Sequence, residues 1–173
     1  MALSKIDAAN FLTGTIPQGN VANASLSAVT ALPAGVGGKV LQVVQGSTTT
    51  TVEHSTTYAD TTLTASITPS STSSKILVMI NQLLFMRGGG GGSVKLFRDS
   101  TAIYTPAEAY AFYINLTDAY LRNYHSYNYL DSPSSTSALT YKTQGRELSG
   151  SGGAFRSQDD SLKSFITLME VSA

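Results

Sequence analysis

An all-β fold is what this sequence predicts: an antiparallel β-sandwich head of the jelly-roll kind, preceded by an extended N-terminal arm and assembled as a trimer. Three observations carry the prediction. Between Thr61 and Asn81 polar Thr62, Thr64, Ser66 and Thr68 alternate with Leu63, Ala65 and Ile67, the period-two pattern of a half-buried strand. After Lys39, similar short runs recur at regular spacing between polar turns, as in sandwiches and jelly rolls. Before Lys39, the aliphatic positions fit neither a heptad nor a strict alternation.

Residues 1–38 contain Ile6, Phe11, Leu12, Ile16, Val21, Leu26, Val29 and Leu32, punctuated by Pro17, Pro33 and several glycines. Alone, such a segment buries too little apolar surface to stay ordered. It reads as an extended arm that docks on other proteins and winds with two identical arms about a shared axis; a flexible tether is the plainer alternative. From residue 39 a β-rich head follows, with strands expected at 39–45, 61–68, 75–86, 93–99, 101–104, 120–130, 138–144 and 163–171. Pro69 should end the second of these, because proline cannot donate to a ladder, and the two strands flanking PSSTSS read as a hairpin. Ile76, Val78 and Ile80 should face the sandwich core. Leu77 and Met79, apolar on the other face, should meet another layer or a neighbouring subunit. Gly88–Gly92 is expected to form a mobile hairpin tip, and Gly150–Gly153 a second one. Thr105–Glu108 has the form of a helix capping box, but the aromatic content of residues 109–116 favours a strand.

Composition narrows the function classes. Eleven basic residues balance eleven acidic ones, which removes the general electrostatic case for nucleic acid or an acidic membrane. Charged residues make up only 13%, about half the usual share. The 23 serines and 21 threonines keep the chain wet instead, and weak charge repulsion leaves self-association open. Without cysteine there is no disulfide or thiolate metal site. No secretory signal or membrane-spanning run is present, so synthesis in a cytoplasm and no membrane insertion are expected.

Nothing in the chain points to catalysis, a cofactor or a metal. His54 and His125 lack a carboxylate or second histidine at ligand spacing and read as surface or interface residues. Asp159-Asp160, the only adjacent carboxylate pair, reads as part of a solvated turn. The glycine run lacks the Gly-Lys-Ser/Thr ending of a phosphate loop. The anomaly is aromatic: seven of nine tyrosines lie between residues 104 and 129. Tyr110, Tyr113, Tyr120, Arg122, Tyr124, His125, Tyr127 and Tyr129 are therefore the candidate recognition residues. Tyrosine offers flat apolar area and a hydroxyl at little conformational cost, which suits a glycan-binding surface or, the reading favoured because an oligomer needs such a surface, a subunit interface.

Several strings resemble a β-rich module of phage tail-fibre and virion proteins, cyanophages included. They are GKVLQVVQ, TTLTASITPSSTSSKILVMI, SVKLFRDSTAIY, YLDSPSSTSALTYKTQ and FITLMEVSA, covering roughly residues 38–173. The N-terminal LTGTIPQGNVANASLSAVTALPAG resembles the lead-in of such fibres. The resemblance implies a non-enzymatic, trimeric component of the virion. In it the arm would meet other virion proteins and the head would point outward, toward a host-surface glycan in an attachment role. A capsid-bound decoration or head fibre is the first alternative, and a lectin-like or polysaccharide-cleaving domain the second. The glycine run and the tyrosine cluster fall outside the resemblance, which therefore names no ligand residues.

Overall fold

The computed structural model describes residues 40–106, 110–116, 118–150 and 153–172; the expected arm lies outside them. Eleven strands run in chain order: β1 (Val40–Thr48), β2 (Val52–His54), β3 (Ala59–Ile67), β4 (Lys75–Arg87), β5 (Gly90–Arg98), β6 (Thr101–Tyr104), β7 (Phe112–Ile114), β8 (Tyr120–Asp131), β9 (Leu139–Gly150), β10 (Ala154–Ser157) and β11 (Ser164–Val171). They form two antiparallel sheets. In the first, β1 pairs β11, β11 pairs β4, and β8 lies on the far side of β4; β10 and β2 continue beside the second half of β4. The second runs β3–β9–β5, with β6 and β7 along the far side of β5.

Setting aside β2, β7 and β10, the order is that of a jelly roll. The first sheet takes the first, eighth, third and sixth of the remaining strands, and the second sheet takes the second, seventh, fourth and fifth. The predicted all-β, antiparallel jelly-roll sandwich is correct. The predicted hairpin is not: β3 belongs to the second sheet and β4 to the first, so the PSSTSS segment crosses between sheets. Alternation shows which residues point inward, but it does not choose the neighbouring strand. Two strands were also missed, β2 in the threonine-rich stretch and β10 after the second glycine cluster. Residues 112–114 are strand, as favoured, while residues 107–109 are outside the described set.

The inward faces follow the alternation. Leu63, Ala65 and Ile67 meet Ile76, Val78 and Ile80, with Leu96, Leu139, Tyr141, Ile166 and Leu168 completing the main cluster. Leu77 and Met79 take the outer face, half-buried opposite Met169 and Thr167 on β11 and Leu130 and Asn128 on β8. Along the inner face of β4, buried Gln82 interrupts the apolar run before Leu84 and Met86. Those two join Val94, Ile114 and Phe155 in a second, smaller cluster. Buried Thr61 and Thr143 share a 2.5 Å hydrogen bond, and the Leu83 amide donates to Ser164 Oγ at 2.9 Å. Such pairing satisfies polar groups that would otherwise be costly to bury.

Two buried carboxylates tie the fold together. Glu170, on the inner face at the end of β11, is fully buried. Its Oε1 accepts from the Ser70 amide (2.7 Å) and hydroxyl (2.6 Å), and its Oε2 accepts from Gln42 Nε2 (2.6 Å). Burial alone would raise this carboxyl, but the hydrogen bonds from Ser70, Gln42 and Ser74 win and hold it at about 2. At the same end of the sandwich, across Ile76 of β4 from Glu170, Asp131 of β8 receives Arg98 of β5 (2.7 and 2.9 Å) and the Tyr141 hydroxyl of β9 (2.6 Å). This second clamp joins the sheets directly.

The glycine run is not a mobile tip. Only Gly88 and Gly89 turn the chain; Gly90–Gly92 are buried strand, paired with β7 on one side and β9 on the other. The Phe155 ring, carried by the opposite sheet, packs directly on the Gly92 backbone, and a Cβ there would collide with it. At the sandwich's other side, Gly46 of β1 lets that strand approach the Thr64 carbonyl of β3, which draws the two sheet edges together. Gly92→Ala is therefore expected to cost about 2–3 kcal/mol through overpacking, read as a lower urea midpoint; a mobile tip would tolerate it unchanged.

His54 is buried, not superficial: its Nε2 meets Ser157 Oγ at 2.6 Å, and burial lowers its pKa from 6.5 to about 4. His54 and Glu170 both have folded pKa values below their unfolded ones, so the native state binds fewer protons and loses stability in acid. The His54 contribution is complete above pH 6.5 and is lost between 6.5 and 4; that of Glu170 is lost between 4.5 and 2. At about 1.4 kcal/mol per pKa unit, each is worth on the order of 3 kcal/mol. His54→Gln should flatten the decline of the urea midpoint between pH 6.5 and 4.5, where wild type should already weaken.

Candidate recognition surface

Strand β8 carries six of the eight candidate residues, and its pleat divides them. Being antiparallel to β4 without interruption from Ile76–Asp131 to Arg87–Tyr120, it presents alternate side chains to opposite faces. Tyr120, Arg122 and Tyr124 stand on the outer face with Phe85 and Leu83 of β4. His125, Tyr127 and Tyr129 stand on the inner face with Gln82, Ile80 and Val78. The remaining two, Tyr110 and Tyr113, lie at and beside β7 with ring centroids 4.7 Å apart, both about half exposed.

The two inward tyrosines pack against the core. Tyr129 stacks on Tyr104 of β6 at 5.1 Å, and Tyr127 tilts against the same ring at 5.7 Å. Together these rings fill the gap between the β8 and β6 edges and pack on the main cluster. Burial, reinforced by neighbouring Tyr104, raises the Tyr127 hydroxyl well above its ordinary range, and burial lowers His125. Neither a receptor surface nor a subunit interface is needed to explain these two tyrosines.

The outward group is built into an ion-pair cluster. Arg122 bonds Asp159 through Nε (2.7 Å) and Nη2 (2.6 Å), and Arg156 bonds Glu53 (2.8 and 2.6 Å). Both guanidinium groups lie over the Phe85 ring, 5.1 and 5.5 Å from its centroid. Asp159 is thus a buried partner, not a residue of a solvated turn. Tyr120 packs its ring near Phe85 at 6.2 Å, and the Tyr124 hydroxyl donates to the Lys163 carbonyl at 3.1 Å. Sequence reading missed Phe85, Arg156 and Asp159 because they come from β4, from β10 and from the segment after β10, brought near β8 only by sheet order.

On the second sheet's outer face, Lys95 and Arg146 lie 4.8 and 4.7 Å from the Tyr58 ring, whose hydroxyl bonds Ser93. A shallow cleft at the β3 bulge is lined by Asp60, Thr62, Thr64 and Lys142. Its carboxylate is already tied to Lys142 (2.8 Å) and Gln144 (2.7 Å). Among the described residues no three His, Asp or Glu side chains gather as metal ligands. The buried Ser157–His54 contact has no carboxylate on Nδ1.

No protein-family model matches the chain, and no curated protein matches it. Among solved structures, the chain is similar to a mutant VP2 protein of infectious bursal disease virus, with 11% identity and a TM-score of 0.36. A structure of the Gt strain of that virus gives 13% identity and a TM-score of 0.33. Each match covers 76% of this chain, which spans 36% and 38% of those longer proteins. Likenesses this slight add nothing to what the strand pairing already shows.

The two faces of β8 predict opposite outcomes for its tyrosines. Tyr127→Ala should destabilise the fold by about 3 kcal/mol, as large-to-small core changes do, whereas Tyr124→Ala on the outer face should cost under about 1 kcal/mol. Thermal unfolding of the two variants separates them, and equal shifts would contradict the assignment of faces.

Proposed function

We propose that this chain is a non-enzymatic structural protein of a phage virion, a trimeric tail fibre or appendage that contributes to host-surface attachment. Residues 1–38 would bind other virion proteins and wind three copies together, and the sandwich would face the host, with a cell-surface glycan as the ligand class. One observation carries the reading. The strings that resemble phage fibre modules come together in pairs: Ser70 of ITPSSTSSKI meets Glu170 of ITLMEV, and Asp131 of LDSPSSTSALTYK meets Arg98 of SVKLFRD. The resemblance thus concerns the clamps that hold a rigid sandwich, as expected of a shared scaffold whose surface is adapted separately.

On such a scaffold, recognition falls to the exposed aromatics Tyr110, Tyr113, Tyr120 and Tyr124. Tyrosine rings can stack on sugar faces while their hydroxyls bond polar groups. Three such heads on one assembly would add avidity on a repetitive surface. Removing residues 1–38 should leave a folded head, read by circular dichroism, and abolish incorporation into particles. Normal incorporation would remove the attachment role of that segment. Immunogold labelling at the tail would support the fibre, and labelling over the capsid would replace it with a head decoration.

A further inference from the structure

The first sheet ends on β8, and this edge differs from the others. Among the described residues β8 pairs only with β4, leaving its far side without a strand partner. The edges of β1, β3 and short β6 are each interrupted: β1 between Val40 and Gln42, β3 between Asp60 and Thr64, and β6 between Ala102 and Tyr104. Bulges of that kind protect an edge from pairing with another chain. The β8 ladder runs through twelve consecutive pairs with no register shift, and Tyr120–Asp131 contains no lysine, proline or glycine. About half of its residues direct both N–H and C=O away from β4. Bulge, proline and lysine, three usual devices against edge pairing, are all missing here.

The strand also fits itself. Antiparallel pairing with a second β8 about a two-fold axis perpendicular to the sheet must keep outer faces together, so partners differ by an even number of residues. Centred on His125, this register sets Tyr120 opposite Leu130 on the outer face, twice. Those side chains are 68% and 52% exposed, among the most exposed large apolar groups described. On the inner face it sets Leu121, also exposed, opposite Tyr129. The strand's two charged residues besides histidine, Arg122 and Asp131, lie toward opposite ends and are already neutralised by Asp159 and Arg98. Arg122 then faces Asn128 of the second copy, and no like charges oppose one another. Aromatic–aliphatic pairs of this kind stabilise a ladder.

We propose that β8 is a pairing edge for a second copy of this chain, joining two first sheets into one antiparallel sheet through the register centred on His125. Because the contact is two-fold, it links copies in pairs; if residues 1–38 hold three copies together, it joins one trimer to the next.

The test uses the full-length chain. Light scattering should return an even number of copies, two or six. Ser126→Lys with Asn128→Lys places charge on the exposed outer face of the edge and should halve that mass while leaving the thermal unfolding curve in place. The chain has no cysteine, so Tyr124→Cys with Ser126→Cys, which oppose each other across this register, should give a covalent dimer on oxidation. A wild-type mass of one or three copies overturns the edge pairing, and three would leave the fibre reading standing. An unchanged mass in the lysine variant, or no cross-link in the cysteine variant, overturns it as well.

Discussion

The burial of the Glu170 carboxylate constrains more of this fold than any other single interaction. An ionised carboxylate leaves water at a cost that only well-placed donors offset. Those donors come from separate parts of the chain: Gln42 from β1, Ser70 and Ser74 from the crossing between β3 and β4. Satisfying Glu170 therefore places β1 beside β11 and anchors the crossing over the end of the core. Gln42 extends the same network by donating to the Thr68 carbonyl at 2.7 Å. Asp131 does the equivalent work across Ile76 at the same end, where Arg98 and Tyr141 from the second sheet meet a residue of the first.

Away from these two clamps the sheets are held by close approach. In a jelly roll most connections pass from one sheet to the other, so the core depends on contacts distant in sequence. Glycine provides the intimacy at Gly46 and Gly92, where backbone lies against the opposing sheet. The resulting sandwich is drawn shut on the β1–β3 side. On the other side the gap is filled by side chains, with Tyr104, Tyr127 and Tyr129 spanning it. That asymmetry explains why tyrosines gather between residues 104 and 129. Part of the cluster is core at an open edge, and the rest stands outside it.

Much of the fold was legible because period-two alternation reports directly which side chains are buried. Leu63, Ala65 and Ile67, and Ile76, Val78 and Ile80, all face the core as read. What alternation cannot report is the partner of a strand, so the β3–β4 pair looked like a hairpin. Composition misled at Gly88–Gly92, where glycine usually marks mobility but here makes room for Phe155. It misled again at Asp159, whose polar neighbours hid a buried ion pair with Arg122. The candidate recognition residues were legible only as a group, because their division into inward and outward sets required the register of β8 against β4.

By itself, then, the sequence determined the β class, the inward faces of the principal strands and the near-neutral, hydroxyl-rich surface, since these depend on local pattern and composition. The tertiary structure decided the jelly-roll order, the partners of Glu170 and Asp131, the burial of the glycine run and the split of the tyrosines. Each of those rests on which distant segments lie side by side, and that is set by hydrogen-bond satisfaction and packing across the two sheets.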